Sequence, residues 1–263
     1  MDILTHTITG FAVGTVFAGF SGKKNNVRII LLSGLGGAFP DIDAISMWSR
    51  FDGTFGRLFG LGHTGKEIYV SKFWYSHHAF FHSLLSAFLL AIIIGIICWI
   101  SQIKRNPSIL KYFEANKLML LSFISGYSFH LLEDMPTPIG AWKGVAFLWP
   151  YSGYIGGTGQ IWWWNNYDIF LIVLIILSLN LIILCLKGRF LKLSKYLPLS
   201  LFVFGFGLSV HQINKRPFNF NYIGHGNKYE YLELKSKQVQ KEILGIRVYS
   251  IMESFDNKIR LNF

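Results

Sequence analysis

The stretch that decides the fold is residues 79–100, AFFHSLLSAFLLAIIIGIICWI, which has 22 residues and no Lys, Arg, Asp or Glu. A second stretch, residues 167–186, is similarly apolar and carries only one acidic residue, Asp168, at its edge. A helix needs about 20 apolar residues to cross the ~30 Å hydrocarbon core of a bilayer. Both stretches therefore predict membrane-spanning helices; two buried core helices of this length in a soluble protein are the less favoured alternative.

The composition of the whole chain agrees with a membrane protein. Of its 263 residues, 52% are hydrophobic and only 15% are charged, whereas soluble domains carry about a quarter charged residues. The net charge of +11 does not indicate a nucleic-acid-binding protein. Such a protein would gather its basic residues on one face or along one helix, whereas here they lie between the apolar stretches. Cys98 and Cys185 lie inside apolar stretches and form no Cys-x-x-Cys pair, which argues against thiolate-bound zinc and disulfides.

The pattern of apolar stretches predicts an all-α polytopic membrane helix bundle. We predict about six membrane segments, at residues 6–22, 27–46, 79–100, 117–135, 167–186 and 196–213. Residues 1–213 would form this membrane-embedded domain. From about residue 214 apolar and polar residues alternate, as in residues 229–234 and 246–250, which is typical of a half-buried strand. Residues 214–263 are therefore predicted to form a small β-rich C-terminal extension.

The basic residues of the loops predict the orientation of the bundle. Eleven follow the first, third and fifth segments: Lys23, Lys24, Arg28, Lys104, Arg105, Lys111, Lys117, Lys187, Arg189, Lys192 and Lys195. Five lie in the loops on the other side: Arg50, Arg57, Lys66, Lys72 and Lys143. The positive-inside rule makes the first side cytoplasmic.

Four polar clusters are expected at one level of this bundle. They are His6 in the first segment, Asp41 and Asp43 in the second, His77, His78 and His82 at the start of the third, and His130 and Asp134 at the end of the fourth. Asp41, His6 and His82 lie 13, 17 and 22 residues from the nearest cytoplasmic basic residue, roughly 20–33 Å along a helix. The clusters are therefore expected in the outer half of the bilayer or just beyond it.

The spacing inside two clusters suits chelation. His130 and Asp134 are four residues apart, as are His78 and His82, and this spacing places each pair on one helix face. Glu133 points away from the face of His130, so we expect it behind a ligand or in solvent. Structural polar contacts are the alternative to a metal site.

The acidic pair completes the pattern. Asp41 and Asp43 point the same way if Pro40 imposes an extended backbone on this segment. Imidazole and carboxylate together suit Zn²⁺, Mn²⁺ or Fe²⁺, whereas Ca²⁺ and Mg²⁺ prefer oxygen ligands. Several buried carboxylates in a membrane also argue for a cation between them. We therefore predict a divalent transition metal, with zinc first.

These motifs carry a resemblance to a known family. They are Asp2-x-x-Thr5-His6, Pro40-Asp41-Ile42-Asp43, His77-x-x-x-x-His82-Ser83 and His130-x-x-x-Asp134. In this order they resemble the YdjM-like family of bacterial membrane-bound metal-dependent hydrolases, over about residues 1–155. Members usually have Arg after the first His of the third motif and Thr or Ser before the second; here these positions are His78 and Phe81.

The resemblance implies a chemistry, because the family is distantly similar to zinc-dependent phospholipase C. It implies hydrolysis of a phosphoester by a metal-activated water in a bacterial inner membrane. The loop charges predict that the site opens on the non-cytoplasmic side, and its depth near the headgroups favours a lipid or lipid-linked substrate. The implied metal ligands are His6, Asp41, Asp43, His77, His82, His130 and Asp134. One of the two aspartates would bridge two metals, and His78 would take the role of the family's Arg towards an anionic substrate group.

Several alternatives stay open. Family pattern favours His77 as the ligand and helical spacing favours His78. Intramembrane His and Asp residues also build ion relays, so a metal-ion or proton transporter is the second hypothesis. A non-catalytic membrane protein with a structural metal is the third. The expected partners are the lipid bilayer and a lipid or phosphoester substrate, with no nucleic acid.

Overall fold

The structure is a computed structural model that describes residues 2–21, 26–104, 108–186, 195–221 and 229–259. In these ranges the chain is mostly helical and forms no named β-strand. The α-helices are α1 (Ile3–Phe20), α2 (Asn26–Ala38), α3 (Gly65–Val70), α4 (Leu84–Ile100), α5 (Ile109–Ala115), α6 (Lys117–Asp134), α7 (Tyr167–Leu186), α8 (Leu197–Asn214) and α9 (Tyr229–Ile259). Short 3₁₀ helices lie at Pro40–Met47 and Phe80–His82.

The number of membrane spans is smaller than the six predicted. In the described part of the chain, α1, α7 and α8 are long and apolar enough to cross a membrane, and α2 with the 3₁₀ helix Pro40–Met47 forms a fourth candidate, bent by 45°. α4 is apolar but has only 17 residues, because the chain before Leu84 is not α-helical. α6 includes Lys117, Glu133 and Asp134 in 18 residues. The prediction of about six spans is therefore not supported.

Local sequence explains where the site-bearing helices begin and end. Asp2 caps α1 by accepting a hydrogen bond from the Thr5 N–H at 2.9 Å, and Ser83 caps α4 in the same way. Pro40 ends α2, because it has no N–H to continue the helix. The expected break at Pro40 is confirmed, but the expected extended backbone is wrong: Asp41 lies in a 3₁₀ helix.

Close packing of α1, α2 and α6 forms the half of the bundle that carries the site. A Cβ atom on Gly10 of α1 would lie 2.9 Å from the Cα of Gly34 in α2, so only glycine permits this approach. On its other side α1 packs against α7 and α8, where Ala12, Ile176 and Phe202 belong to one apolar core.

The predicted β-rich extension is wrong. α9 is helical on both sides of Gly245, where a φ of 72° interrupts the helix. Before Gly245 its buried residues are Leu232, Ser236, Val239 and Gln240, with Ile243 partly buried, and their spacing is that of a helix. Ser236 and Gln240 are polar, so the apolar residues alone do not show that period. Of the predicted extension, residues 222–228 and 260–263 lie outside the described ranges. The domain boundary near residue 213 stays a prediction.

Candidate metal centre

Four side chains from three segments converge at the end of the bundle where α1 begins and α6 ends. His82, His130, Asp41 and Asp134 each offer one ligand atom, and these atoms lie within 4.8 Å of one another. The Nε2 atom of His130 lies 3.1 Å from Asp134 Oδ2, 3.3 Å from His82 Nε2 and 3.6 Å from Asp41 Oδ1. We call these four residues the His/Asp cluster. The ligand atoms of the cluster are therefore arranged around a common centre.

The second nitrogen of each cluster histidine fixes the orientation of its ring. His130 donates from Nδ1 to the backbone carbonyl of Gly37 at 2.7 Å. Because a carbonyl can only accept, the proton lies on Nδ1 and the Nε2 lone pair faces the cluster. His82 places its Nδ1 3.2 Å from Asp43 Oδ2. Carbonyl and carboxylate partners of this kind are typical of histidines that bind metals.

The two aspartates of the 3₁₀ helix serve different positions. Asp41 and Asp43 are two positions apart, and in a helix of three residues per turn such side chains point in different directions. Asp41 faces the cluster, and Asp43 lies behind the cluster histidines. Asp43 Oδ1 is 2.7 Å from His77 Nδ1, so one carboxylate orients His77 and His82 together. A ligand role for Asp43 stays a prediction; its oxygens contact histidine nitrogens in this arrangement.

The α6 residues behave as their spacing predicts. His130 and Asp134 lie one turn apart and meet at 3.1 Å, so the shared helix face is confirmed. The Nε2 of His6 in α1 lies 3.2 Å from the other oxygen of Asp134. The His6 Nδ1 donates to Glu133 at 2.6 Å, and Glu133 also accepts from Thr9. Glu133 thus lies behind a candidate ligand, one of the two places expected for it.

The His77-His78 pair precedes the helix, so the helical spacing argument does not apply to it. Both residues lie in a turn before the 3₁₀ helix Phe80–His82, yet they join His82 in a second group whose ligand atoms lie within 4.8 Å. His78 donates from Nδ1 to the Gly144 carbonyl at 3.0 Å, and its Nε2 lies 3.9 Å from Asp134 Oδ2. The structure brings both histidines to the site, and the choice of ligand stays a prediction.

The backbone of His78 is strained. Its φ of 62° is uncommon for a residue with a side chain and costs about 1–3 kcal/mol. The Ala146 N–H donates to the His78 carbonyl at 3.0 Å and holds this conformation. Burial, together with the neighbouring His77 and His82, lowers the pKa of His78 well below its ordinary value. A neutral ring with its proton on Nδ1 presents an acceptor at Nε2, which differs from the donating cation that an Arg would supply.

Two aromatic residues that the sequence analysis did not single out cover the histidine turn. The Tyr69 ring stacks on His77 at 4.5 Å, and the Trp142 ring stacks on His78 at 4.7 Å. Trp142 donates from Nε1 to the Tyr69 carbonyl at 2.7 Å, which ties the loop after α6 to α3. No sequence signal marks the contact of Trp142 with Tyr69, because the two residues are 73 positions apart.

Accessibility within the cluster is uneven. The side chains of His82 and His130 are 0% exposed and that of Asp134 is 3% exposed, whereas Asp41 is 15% exposed. Asp41 therefore marks the side from which a ligand reaches the cluster. Two imidazole nitrogens and two carboxylate oxygens at these separations are chemically suited to one divalent transition metal.

Comparison with known proteins places the chain in a family. No curated protein and no solved structure is significantly similar to it. The family model described as "YdjM inner membrane protein" matches residues 1–215, which include every residue of the His/Asp cluster and end just before α9. Because the match covers most of the chain, the protein belongs to the YdjM inner membrane protein family.

Proposed function

We propose that this protein is a membrane-bound metal-dependent hydrolase that cleaves a phosphoester of a lipid or lipid-linked substrate. The observation that carries the proposal is the convergence of His82, His130, Asp41 and Asp134 on one buried centre. The four titratable side chains lie close together, and the Nδ1 atoms of both histidines already have hydrogen-bond partners. This arrangement supports a functional site over packing alone.

The residues present fit a metal. The Nε2 of His6 is buried and faces an Asp134 oxygen at 3.2 Å, while its Nδ1 is bonded to Glu133. With its proton on Nδ1, the ring would turn a lone pair towards a carboxylate, an arrangement that a cation between the two atoms would stabilise. His82, His130, Asp41 and Asp134 would hold the metal, with His6, His77 and Asp43 as further candidates. A bound divalent metal supplies a Lewis acid and lowers the pKa of water towards 7.

The chain's own groups then have distinct tasks. Asp41 is the most accessible member of the cluster and would contact the substrate side. Asp43 would hold His77 and His82 in one orientation. His78 presents a neutral Nε2 towards the cluster, so it would accept a proton or bind a cation more readily than it would attract an anion.

The surroundings of Asp41 support a lipid substrate. The 3₁₀ helix that carries it exposes the apolar side chains of Ile42, Ile45 and Met47, and Trp48 follows directly. A row of exposed apolar residues with a terminal Trp is typical of the membrane interface. A lipid in the bilayer could therefore reach Asp41 along this surface without first entering water. The choice of a phosphoester as the bond cleaved rests on the resemblance of the motifs alone, which implies a distant similarity to zinc-dependent phospholipase C.

A transporter is less well supported by the helices of the site. A relay needs ionisable or ion-binding groups along the whole path. α1 carries no ionisable side chain after His6, up to its end at Phe20. α4 likewise carries no Lys, Arg, Asp, Glu or His. In α1 the one ionisable side chain, His6, lies in the first turn, and this placement favours a site over a pathway.

Activity of the purified protein tests the proposal. The protein is stripped with chelator, reloaded with Zn²⁺, Mn²⁺ or Fe²⁺, and offered phospholipids, lipid diphosphates and a soluble phosphodiester. We expect metal-dependent release of a phosphorylated product, lowered about 100-fold or more by Asp41→Asn, since loss of a supporting partner alone costs 10–100-fold. The matched control is Glu114→Gln, which neutralises an exposed carboxylate in α5 outside the site. Equal rates for wild type and Asp41→Asn would refute the assignment.

The side of the membrane is tested separately. In a background with Cys98→Ser and Cys185→Ser, we expect Lys104→Cys to react with an impermeant maleimide only from the cytoplasm. Arg57→Cys should react only from outside, because the loop charges of eleven to five favour this orientation. The opposite labelling pattern would move the His/Asp cluster to the cytoplasmic side.

A further inference from the structure

A cavity of about 250 Å³ lies between α1, α6, α7 and α8, next to the His/Asp cluster but outside it. Its volume exceeds the ~150 Å³ of a dry apolar cavity that binds a benzene-sized ligand. Glu133 lies in its wall and is the residue that bonds His6, so the cavity touches the site through one side chain. Nothing in the proposed hydrolysis uses this space.

The lining of the cavity is polar at one end and apolar at the other. Glu133, Gln160 and Asn214 line the end nearest the cluster, where α6 and α8 both finish. Val173 of α7 and Phe202 of α8 line the deep end. From Asn214 back to Phe202 the helix rises roughly 18 Å at 1.5 Å per residue. The cavity is thus a narrow amphipathic space that extends from the cluster level into the bundle.

The same cavity is continuous with the apolar outer surface. Leu132, Phe206 and Val210 belong to its lining, and their side chains are also 38%, 43% and 40% exposed. Phe206 and Val210 belong to α8, which is long and apolar enough to span a membrane, so their exposed faces would meet lipid. A ligand can therefore enter from the bilayer without crossing water.

We propose that this cavity binds one acyl chain of a membrane lipid, with the chain at the Phe202 end and the polar part of the lipid at the Glu133 end. The apolar walls exclude ordered water, which needs two to four polar partners. The buried hydroxyl of Ser209 has no hydrogen-bond partner in the described part of the chain and lies midway along the cavity. The polar gradient matches a lipid, whose head lies at the interface and whose tail lies below it.

Photocrosslinking in liposomes tests the proposal without any hydrolysis assay. The probe is phosphatidylglycerol with a diazirine near the end of one acyl chain, in phosphatidylethanolamine vesicles that contain the full-length protein. We expect adducts on Val173 and Phe202, from two different helices, in several-fold excess over adducts on Val203, which is 60% exposed on the outer face of α8. An even spread of adducts over the outer surface, without this excess, would overturn the proposal.

A cavity-filling variant sharpens the test. Ser209→Phe places a ring in the cavity and should lower the Val173 and Phe202 adducts several-fold. The matched control Val203→Phe adds the same ring to the outer face of α8 and should leave them unchanged. Gel filtration shows whether each variant is folded; if Ser209→Phe is not, Val173→Phe fills the cavity from α7 and its Phe202 adducts are compared instead. Unchanged adducts in a folded filled variant would show that the chain does not bind here.

Discussion

Two buried polar regions near the same end of the bundle differ in the cation that balances their carboxylates. Asp168 at the start of α7 is bound by the Arg216 guanidinium, with Nη2 at 2.8 and 3.1 Å from its two oxygens. Gln240 of α9 adds a hydrogen bond at 3.0 Å. In the described part of the chain, Asp41 and Asp43 are ion-paired only with imidazoles.

The comparison separates a structural contact from a site. The carboxylate of Asp168 is paired with a permanent cation of the chain itself, and Gln240 joins the same carboxylate to α9. The carboxylates of Asp41 and Asp43 face imidazole rings, which carry no permanent charge, so a cation from solution would complete their charge balance. Burial of carboxylates alone therefore does not indicate metal binding; the identity of the neighbouring groups does.

The largest expected effect comes from removing two members of the cluster. Purified wild type should hold at least one equivalent of a transition metal, and the double variant His130→Ala, Asp134→Ala should lose nearly all of it. Elemental analysis of the purified protein measures this. Asp168→Asn is the control from the other region and should retain its metal. If wild type and the double variant carry equally little metal, the cluster is not a metal site.

Removing the internal cation should destabilise the other region. Arg216→Met leaves Asp168 buried with an uncompensated charge, which costs about 3–5 kcal/mol. We expect a lower Tm in detergent, with the metal content of the folded fraction unchanged. Adding Asp168→Asn should recover part of the loss, because the neutral amide needs no cation. A Tm equal to that of wild type for Arg216→Met would show that the Arg216–Asp168 ion pair does not contribute to stability.

The smallest effect is expected behind the cluster. Asp43→Asn keeps the shape of the side chain but removes the charge that orients His77 and His82, so metal affinity should fall about 10–100-fold. Competition with a chelator of known affinity measures the change. A complete loss of metal, as large as that of the double variant, would contradict this positioning role. Asp43 would then be a metal ligand itself.

Sequence reasoning located the long helices because membrane spans are coded by composition. The predicted segment 167–186 coincides with α7, and the first and last predicted segments lie within three residues of α1 and α8. The absence of charge over 20 residues leaves few alternatives to a helix in lipid. The four polar clusters were placed near one another for the same reason, since helix lengths fix their depth.

The errors have a different origin. Whether a histidine lies in α4 or before it depends on Ser83, which caps α4 and leaves His77 and His78 in a turn and His82 in a 3₁₀ helix. In α9 the buried face includes Ser236 and Gln240, and Gln240 is there because it bonds Asp168. Without the partner, such polar residues do not reveal the buried face of a helix. Both cases need a tertiary contact that local pattern does not contain.

Gly37 joins two properties of the molecule that are usually separate. Its lack of a side chain lets α2 approach α1, where its Cβ would meet the Gly10 Cα at 3.1 Å, and its carbonyl accepts the His130 proton at 2.7 Å. The packing of α2 on α1 and the orientation of the His130 ring therefore both depend on Gly37. By mass action a metal that binds only the packed form adds about 2.7 kcal/mol to its stability at 100 times its Kd. The concentration of free metal around the protein would then determine the stability of the bundle as well as its activity.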